Sequence, residues 1–124
     1  MPIRTRLGLM LTCAMAVGVR PAAAQAPAEV TPSAIAQGDT LFHKAANCYA
    51  CHGANAQGLI GPSLTDSVWI HSDGSYDAIV KQIMAGISKE QAKNGIPMPP
   101  KGGATISDDQ VKAVAAYVWS LSHE

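Results

Sequence analysis

The residues best suited to chemistry form the run Cys48-Tyr49-Ala50-Cys51-His52, a C-x-x-C-H pattern. Two thiols at this spacing can add to the two vinyl groups on one edge of a haem, and the adjacent imidazole then lies under the iron as an axial ligand. A redox dithiol and half of a zinc site also use paired cysteines. However, the sequence shows no strand-to-helix context for a dithiol and no cysteine after Cys51 to complete a zinc site. The motif therefore favours covalent haem attachment.

A haem iron bound by one histidine needs a second ligand, a sulfur or nitrogen donor on a segment that folds over the opposite face. Met98 lies in a non-helical run with prolines on both sides (PMPP), which restrict the backbone and hold the thioether at low entropic cost. Met84 lies on the apolar stripe of a predicted helix, where methionine fills gaps in a core. His71, near a glycine-containing loop, is the alternative ligand. The other two side-chain imidazoles are expected at the solvated surface, His43 and His123.

Ligation of iron by His52 and Met98 has a chemical consequence. A thioether favours the reduced iron more than imidazole does, so it raises the reduction potential. With both axial positions filled, no open position remains for oxygen or peroxide chemistry. The sequence therefore predicts one-electron transfer without a catalytic residue, and a protein that is not an enzyme.

The N-terminal segment has the layout of a secretory signal peptide: a positive start, an apolar run from Leu7 to Val19, and small residues before Gln25. The apolar run is shorter than the roughly 20 residues that cross a bilayer. We expect cleavage after Ala24, so that residues 1–24 are a signal peptide for the general secretory route to the periplasm. An uncleaved anchor and lipidation of Cys13 are the alternatives, the latter disfavoured because a threonine precedes the cysteine.

Composition limits the remaining chain to one small domain. The full chain has 124 residues, formal charge zero and a single phenylalanine, Phe42. Removal of residues 1–24 takes away three arginines and no acidic residue, which leaves a formal charge of −3. This charge gives no field to attract phosphates, so nucleic acid is not an expected partner. A domain of this size with few large core residues often needs a bound group to fold.

Helices with long loops account for the rest of the pattern. After a flexible leader over residues 25–30, Thr31 followed by proline predicts a helix over about 31–46. Ser75 predicts the start of a second helix, and a capping box at Ser107 predicts the start of the last one. A short turn or helix is expected at 89–94, and residues 53–63 and 96–104 are too rich in Gly and Pro for regular structure. The fold class is therefore all-α, with about three to five helices in a domain over 31–124.

With these motifs in place, the chain resembles the class I monohaem c-type cytochromes of bacteria. The matching motifs span the predicted domain: Gly38-x-x-Leu41-Phe42, Cys48-x-x-Cys51-His52-Gly53, Gly61-Pro62-Ser63-Leu64, Met98-Pro99-Pro100 and Ala115-Ala116-Tyr117-Val118. The resemblance implies the small cytochrome c fold wrapped around one haem c that is bound through two thioethers. It also implies that Gly38 permits a close crossing of the first and last helices near Tyr117.

The resemblance implies further residues of the haem pocket. The carbonyl of Pro62 is expected to accept a hydrogen bond from Nδ1 of the axial histidine, although Gly61-Pro62 is also compatible with an ordinary turn. Leu64 and Trp69 resemble residues that line the pocket. Trp69 is equally compatible with a core aromatic whose N–H donates to a loop carbonyl or a haem propionate.

The sequence departs from mitochondrial-type members in two respects. Residues 67–94 look more like cytochrome domains found beside bacterial oxidases and dehydrogenases. The lysines are scattered along the sequence and do not form a basic patch. Lys93 and Lys101 flank the Met98 loop and are candidates for the rim of the haem edge. We therefore expect a monomeric, periplasmic electron carrier whose partners are redox proteins, without stable membrane insertion after cleavage. The alternatives are a fixed electron-entry subunit of a dehydrogenase or oxidase complex, and a haem-based ligand sensor.

Overall fold

The computed structural model describes Gly18 and residues 25–123. Over this part of the chain the elements are α1 (Pro32–His43), α2 (Tyr49–His52), α3 (Tyr76–Ala85), a 3₁₀ turn (Pro100–Gly103) and α4 (Asp108–Leu121). The all-α prediction with long loops is thus confirmed. The predicted signal peptide lies outside the described residues except for Gly18. Among the described residues, no helix is both long and apolar enough to cross a bilayer.

Side-chain caps begin the three longer helices where the sequence predicts them. The hydroxyls of Thr31 and Ser75 accept hydrogen bonds from the backbone N–H three residues later, at 3.1 and 3.4 Å. At α4 the hydroxyl of Ser107 accepts from the backbone of Gln110 at 3.1 Å, and the Gln110 side chain accepts from the backbone of Ser107 at 2.9 Å. Each bond satisfies a donor that the first turn of a helix leaves unpaired.

The close crossing of α1 and α4 expected at Gly38 is present. A Cβ on Gly38 would collide with the backbone carbonyl of Ala113 and lie 2.7 Å from Cβ of Tyr117. The absence of a side chain therefore lets the two helix backbones meet. Beside this crossing, the side chains of Phe42, Val111 and Val114 are almost fully buried and form the centre of the core.

Helix α1 is shorter than the predicted 31–46. Lys44 leaves helical geometry at φ −129° and ψ −102°, and the N–H of Ala46 turns back to the carbonyl of Leu41 at 2.9 Å. The N–H of Cys48 then donates to the carbonyl of Phe42 at 3.0 Å. These two backbone hydrogen bonds turn the chain out of the helix, and Tyr49–His52 forms the separate short helix α2.

Candidate functional site

One large cavity brings together all seven residues that the sequence singles out for the site. It encloses about 1220 Å³ of space including its open mouth, and its lining includes Cys48, Cys51, His52, Pro62, Leu64, Trp69 and Met98. No Lys, Arg, Asp or Glu occurs among the described residues that line it. The cavity is therefore an apolar environment with a few polar atoms.

Helix α2 presents the two cysteines of the motif to this cavity. Cys48 is half-buried and Cys51 is exposed, and neither forms a disulfide. Burial raises the pKa of the Cys48 thiol to about 11. An attacking thiol of a redox dithiol needs a lowered pKa, so this environment does not favour dithiol chemistry. A zinc site is not favoured either, because the described residues contain no cluster of three or more His, Cys, Asp or Glu side chains able to hold a metal ion.

The imidazole of His52 is fixed by the loop that follows it. Its Nδ1 donates to the carbonyl of Pro62 at 2.9 Å, the hydrogen bond that the resemblance implied. The N–H of Gly61 donates to the carbonyl of Cys51 at 2.8 Å, and a Cβ on Gly61 would lie 3.0 Å from Cε1 of the His52 ring. Because Nδ1 carries the proton in this bond, Nε2 keeps its lone pair for a metal. Burial lowers the pKa of His52, which also favours the neutral, ligating form.

Met98 is fixed through its backbone. Its N–H and carbonyl both pair with Ile87, at 2.9 and 2.8 Å, in an isolated antiparallel bridge. Gly86, at φ +67°, lets this segment approach, since a Cβ there would collide with the Met98 carbonyl and lie 2.7 Å from the Pro100 nitrogen. The prediction of no regular structure over 96–104 agrees with the structure, because the bridge is isolated and Lys101 and Gly102 in the 3₁₀ turn have non-helical φ values of 54° and 64°. The sequence does not predict the pairing of Met98 with Ile87.

Leu64 and Trp69 occupy the wall of the cavity between the haem-attachment loop and α3. Both are partly buried against the core. The N–H of Leu64 donates to the carbonyl of Ala56 at 2.8 Å, and the indole of Trp69 packs directly on Gly74. Trp69 therefore lines the cavity and packs against the core, whereas the expected hydrogen bond from its N–H to a loop carbonyl stays a prediction.

The rival axial ligands are less well placed than Met98. His71 lines the cavity, but its Nε2 accepts the backbone N–H of Lys93 at 3.0 Å. In that neutral ring the other nitrogen carries the proton, so His71 has no free lone pair for iron. Met84 packs against the core and is not among the lining residues. Met98 is therefore the one of these two methionines that lines the cavity.

His43 and Lys101 have roles that the sequence does not predict. His43, expected at the solvated surface, bonds the carbonyl of Ala54 through Nε2 at 2.6 Å. Lys101, a candidate for the haem rim, donates from Nζ to the carbonyl of Ile106 at 2.8 Å and to Asp108 at 2.9 Å. It therefore ties the Met98 loop to the start of α4. The i,i+4 spacing of Asp39 and His43 along α1 is the one local signal that indicates a contact of His43. The carbonyls of Ala54 and Ile106 come within reach only through the tertiary fold.

Paired cysteines, a fixed imidazole and a thioether around one cavity without Lys, Arg, Asp or Glu in its lining are the groups that a c-type haem needs, so the residues present fit that cofactor. The matching family model, described as Cytochrome c, covers residues 35–122. The chain belongs to the cytochrome c family, and its cofactor is haem c.

Curated relatives agree with the family assignment, and a solved structure agrees with the fold. The chain is 45% identical over 92 residues to a cbb3-type cytochrome c oxidase subunit CcoP of Rubrivivax gelatinosus, covering 73% of this chain and 27% of the relative. It is 34% identical over 100 residues to subunit FixP of Rhizobium meliloti, covering 78% and 30%. The chain thus spans about three tenths of these relatives. The fold is similar to cytochrome cL of Methylophaga aminisulfidivorans, with TM-score 0.60 and 24% identity over 76% of this chain and 57% of that one.

Proposed function

We propose that this chain is a periplasmic electron carrier in which Cys48 and Cys51 bind one haem c and His52 and Met98 are its axial ligands. The observation that carries the proposal is the fixation of both ligand residues around one cavity. Nδ1 of His52 donates a hydrogen bond to the carbonyl of Pro62, and the backbone N–H and carbonyl of Met98 both form hydrogen bonds with Ile87. The chemistry that haem supplies at this place is a one-electron couple of iron.

The residues of the chain define how that couple is used. The Pro62 carbonyl holds the proton at Nδ1 of His52 and so raises the basicity of the ligating nitrogen. The thioether of Met98 brings no charge into the cavity and favours the reduced state. The apolar lining, including Leu64 and Trp69, lowers the polarity around the iron. With side chains on both axial sides, the protein passes electrons to and from redox partners and transforms no substrate.

A fixed electron-entry subunit is the second candidate, and a specific observation favours it. The relatives named above are subunits of cbb3-type cytochrome c oxidases, and this chain corresponds to about three tenths of each. Size-exclusion chromatography of the native protein separates the two candidates. A carrier elutes as a monomer of the processed chain, whereas a subunit elutes within a larger complex. Export predicts that the processed chain begins at Gln25 and is recovered in the periplasmic fraction without detergent.

Exchange of the two methionines tests the ligand assignment. The holoprotein is made in a host that attaches haem, and intact mass shows whether the porphyrin is covalent. Met98→Ala is expected to remove the methionine-to-iron charge-transfer band of the oxidised protein and to lower the reduction potential. Met84→Ala is the matched control, because it shortens the other methionine of the domain in the core and should keep the band. Retention of the band in Met98→Ala would show that another residue is the ligand.

Carbon monoxide separates electron transfer from ligand sensing. A sensor would release Met98 and bind carbon monoxide rapidly in the reduced form at neutral pH. The backbone pairing of Met98 with Ile87 and its close packing on Gly86 oppose that release. We therefore expect slow or negligible binding to the wild type and rapid binding to Met98→Ala.

A further inference from the structure

His43 connects the end of α1 to the loop that follows the axial histidine. Its Nε2 lies 2.6 Å from the carbonyl oxygen of Ala54, two residues after His52. Its Nδ1 lies 2.9 Å from the carbonyl oxygen of Asp39 and 2.9 Å from a carboxylate oxygen of the same residue. The imidazole therefore bridges the first helix of the core to the segment that carries the iron ligand.

Both ring nitrogens of His43 face oxygen acceptors. A neutral imidazole has one N–H and can donate in one direction only, so its second nitrogen would place a lone pair against a carbonyl oxygen. The imidazolium donates from both nitrogens and satisfies both contacts. In agreement, the hydrogen bond to Ala54 and then that to the Asp39 backbone raise the pKa of His43 above its usual value.

The groups packed around His43 come from four elements. Asp39 on α1 supplies the negative charge, and the loop after α2 supplies the Ala54 carbonyl. The Tyr49 ring of α2 stacks on the imidazole at a centroid distance of 6.2 Å, and the Tyr117 ring of α4 lies edge-on at 6.2 Å. Burial and then the Asp39 carboxylate raise the pKa of Tyr117, so this phenol is neutral when His43 titrates.

We propose that His43 is a positioning residue whose imidazolium fixes the loop after His52 to α1 and couples the reduction potential of the haem to pH. This inference rests on the proposed function. Oxidised haem carries one more positive charge than reduced haem, so the imidazolium favours the reduced form and its deprotonation lowers the potential. By linkage, reduction of the haem raises the proton affinity of His43 by the same factor.

The expected size of the coupling is taken from the usual range for linked binding sites. A difference of roughly fivefold in proton affinity between the two redox states is at the low end for linked sites. For a one-electron couple, a tenfold change in equilibrium constant corresponds to about 59 mV. We therefore expect the potential to fall by about 41 mV as the pH rises through the titration of His43.

The test measures the potential of the holoprotein between about pH 5 and pH 9. In the wild type we expect a step, which is the fall of the reduction potential as the pH rises through the titration of His43. His43→Gln keeps an amide donor for the Ala54 carbonyl but does not titrate, so this step should disappear. Asp39→Asn removes a charge that holds the proton on His43, so the step should move to lower pH. His123→Gln is the matched control, because His123 also stacks on an aromatic ring and bonds the carbonyl four residues earlier in its helix. The reduction potential of His123→Gln should show the same step, at the same pH, as that of the wild type.

Two results would overturn the inference: a wild type without a step, or an unchanged step in His43→Gln, which would assign the titration to another group. A proton NMR titration of the His43 ring supplies a readout that does not involve the potential. A pKa for His43 at or below about 6.5 would also overturn the inference. Failure of the proposed function is distinguished beforehand, because it would appear as the absence of covalent haem in the intact mass.

Discussion

Gly38→Ala tests the physical basis of the α1–α4 crossing. The new methyl group would collide with the backbone carbonyl of Ala113 and lie 2.7 Å from Cβ of Tyr117, and neither atom can rotate away. Overpacking of this kind costs about 1–3 kcal/mol, and contact with backbone places this case near the upper end. Alanine in place of glycine in a helix returns about 0.5–1 kcal/mol. The net expectation is a loss of about 2 kcal/mol in the free energy of unfolding.

Thermal unfolding of the holoprotein, followed by circular dichroism, measures this loss. For a domain of this size, each kcal/mol corresponds to about 4–8 °C in Tm, so Gly38→Ala should lower Tm by about 8–16 °C. Ala36→Gly is the control, since Ala36 is exposed on the same helix and reports the intrinsic preference alone. It should cost about 0.5–1 kcal/mol. A Tm for Gly38→Ala equal to or above that of the wild type would refute the reasoning, because helix preference would then outweigh the close contact.

Three further predictions concern the site and its supports. Gly86→Ala should displace the Met98 segment and weaken the methionine-to-iron band of the oxidised protein. Gly95→Ala is the control, because Gly95 has a similar φ of +74° but no atom within 4 Å of the new methyl group. It should lower the stability and keep the band. Ser107→Ala should lower the stability by about 1 kcal/mol in a denaturant titration, because it removes the cap of α4; an unchanged midpoint would contradict this. His43 has a raised pKa in the folded state, so the stability it contributes is complete below its unfolded pKa and is lost as the pH rises through its folded pKa. Tm measured against pH should therefore fall over that window in the wild type and stay level in His43→Gln.

The parts of the site that the sequence predicts are those encoded by local spacing. The C-x-x-C-H run, the proline-flanked Met98 and the capping box at Ser107 each depend on residues within a few positions of one another. Physical rules for such short patterns are strong because the same backbone segment makes the contacts. Local cap patterns at Thr31, Ser75 and Ser107 likewise predict the three helix starts, and with them the all-α class.

The parts that the sequence does not predict depend on distant partners. The early end of α1 depends on nearer partners, since the N–H groups of Ala46 and Cys48 donate to the carbonyls of Leu41 and Phe42, but these are backbone atoms that no side-chain pattern marks. The bridge of Met98 needs Ile87, eleven residues away. His43 depends on the carbonyl of Ala54, an acceptor that every residue possesses, so no residue type marks it. Backbone acceptors leave no trace in side-chain patterns, and tertiary structure alone brings them into reach.

The prolines around Met98 also affect encounters with other polypeptides. An extended segment with unpaired N–H groups is a template on which a second chain can add as a β-strand and begin to aggregate. Pro97, Pro99 and Pro100 have no N–H, and the single N–H between them is already engaged by Ile87. In the folded protein the segment can thus stay extended without offering a free N–H to a neighbouring chain.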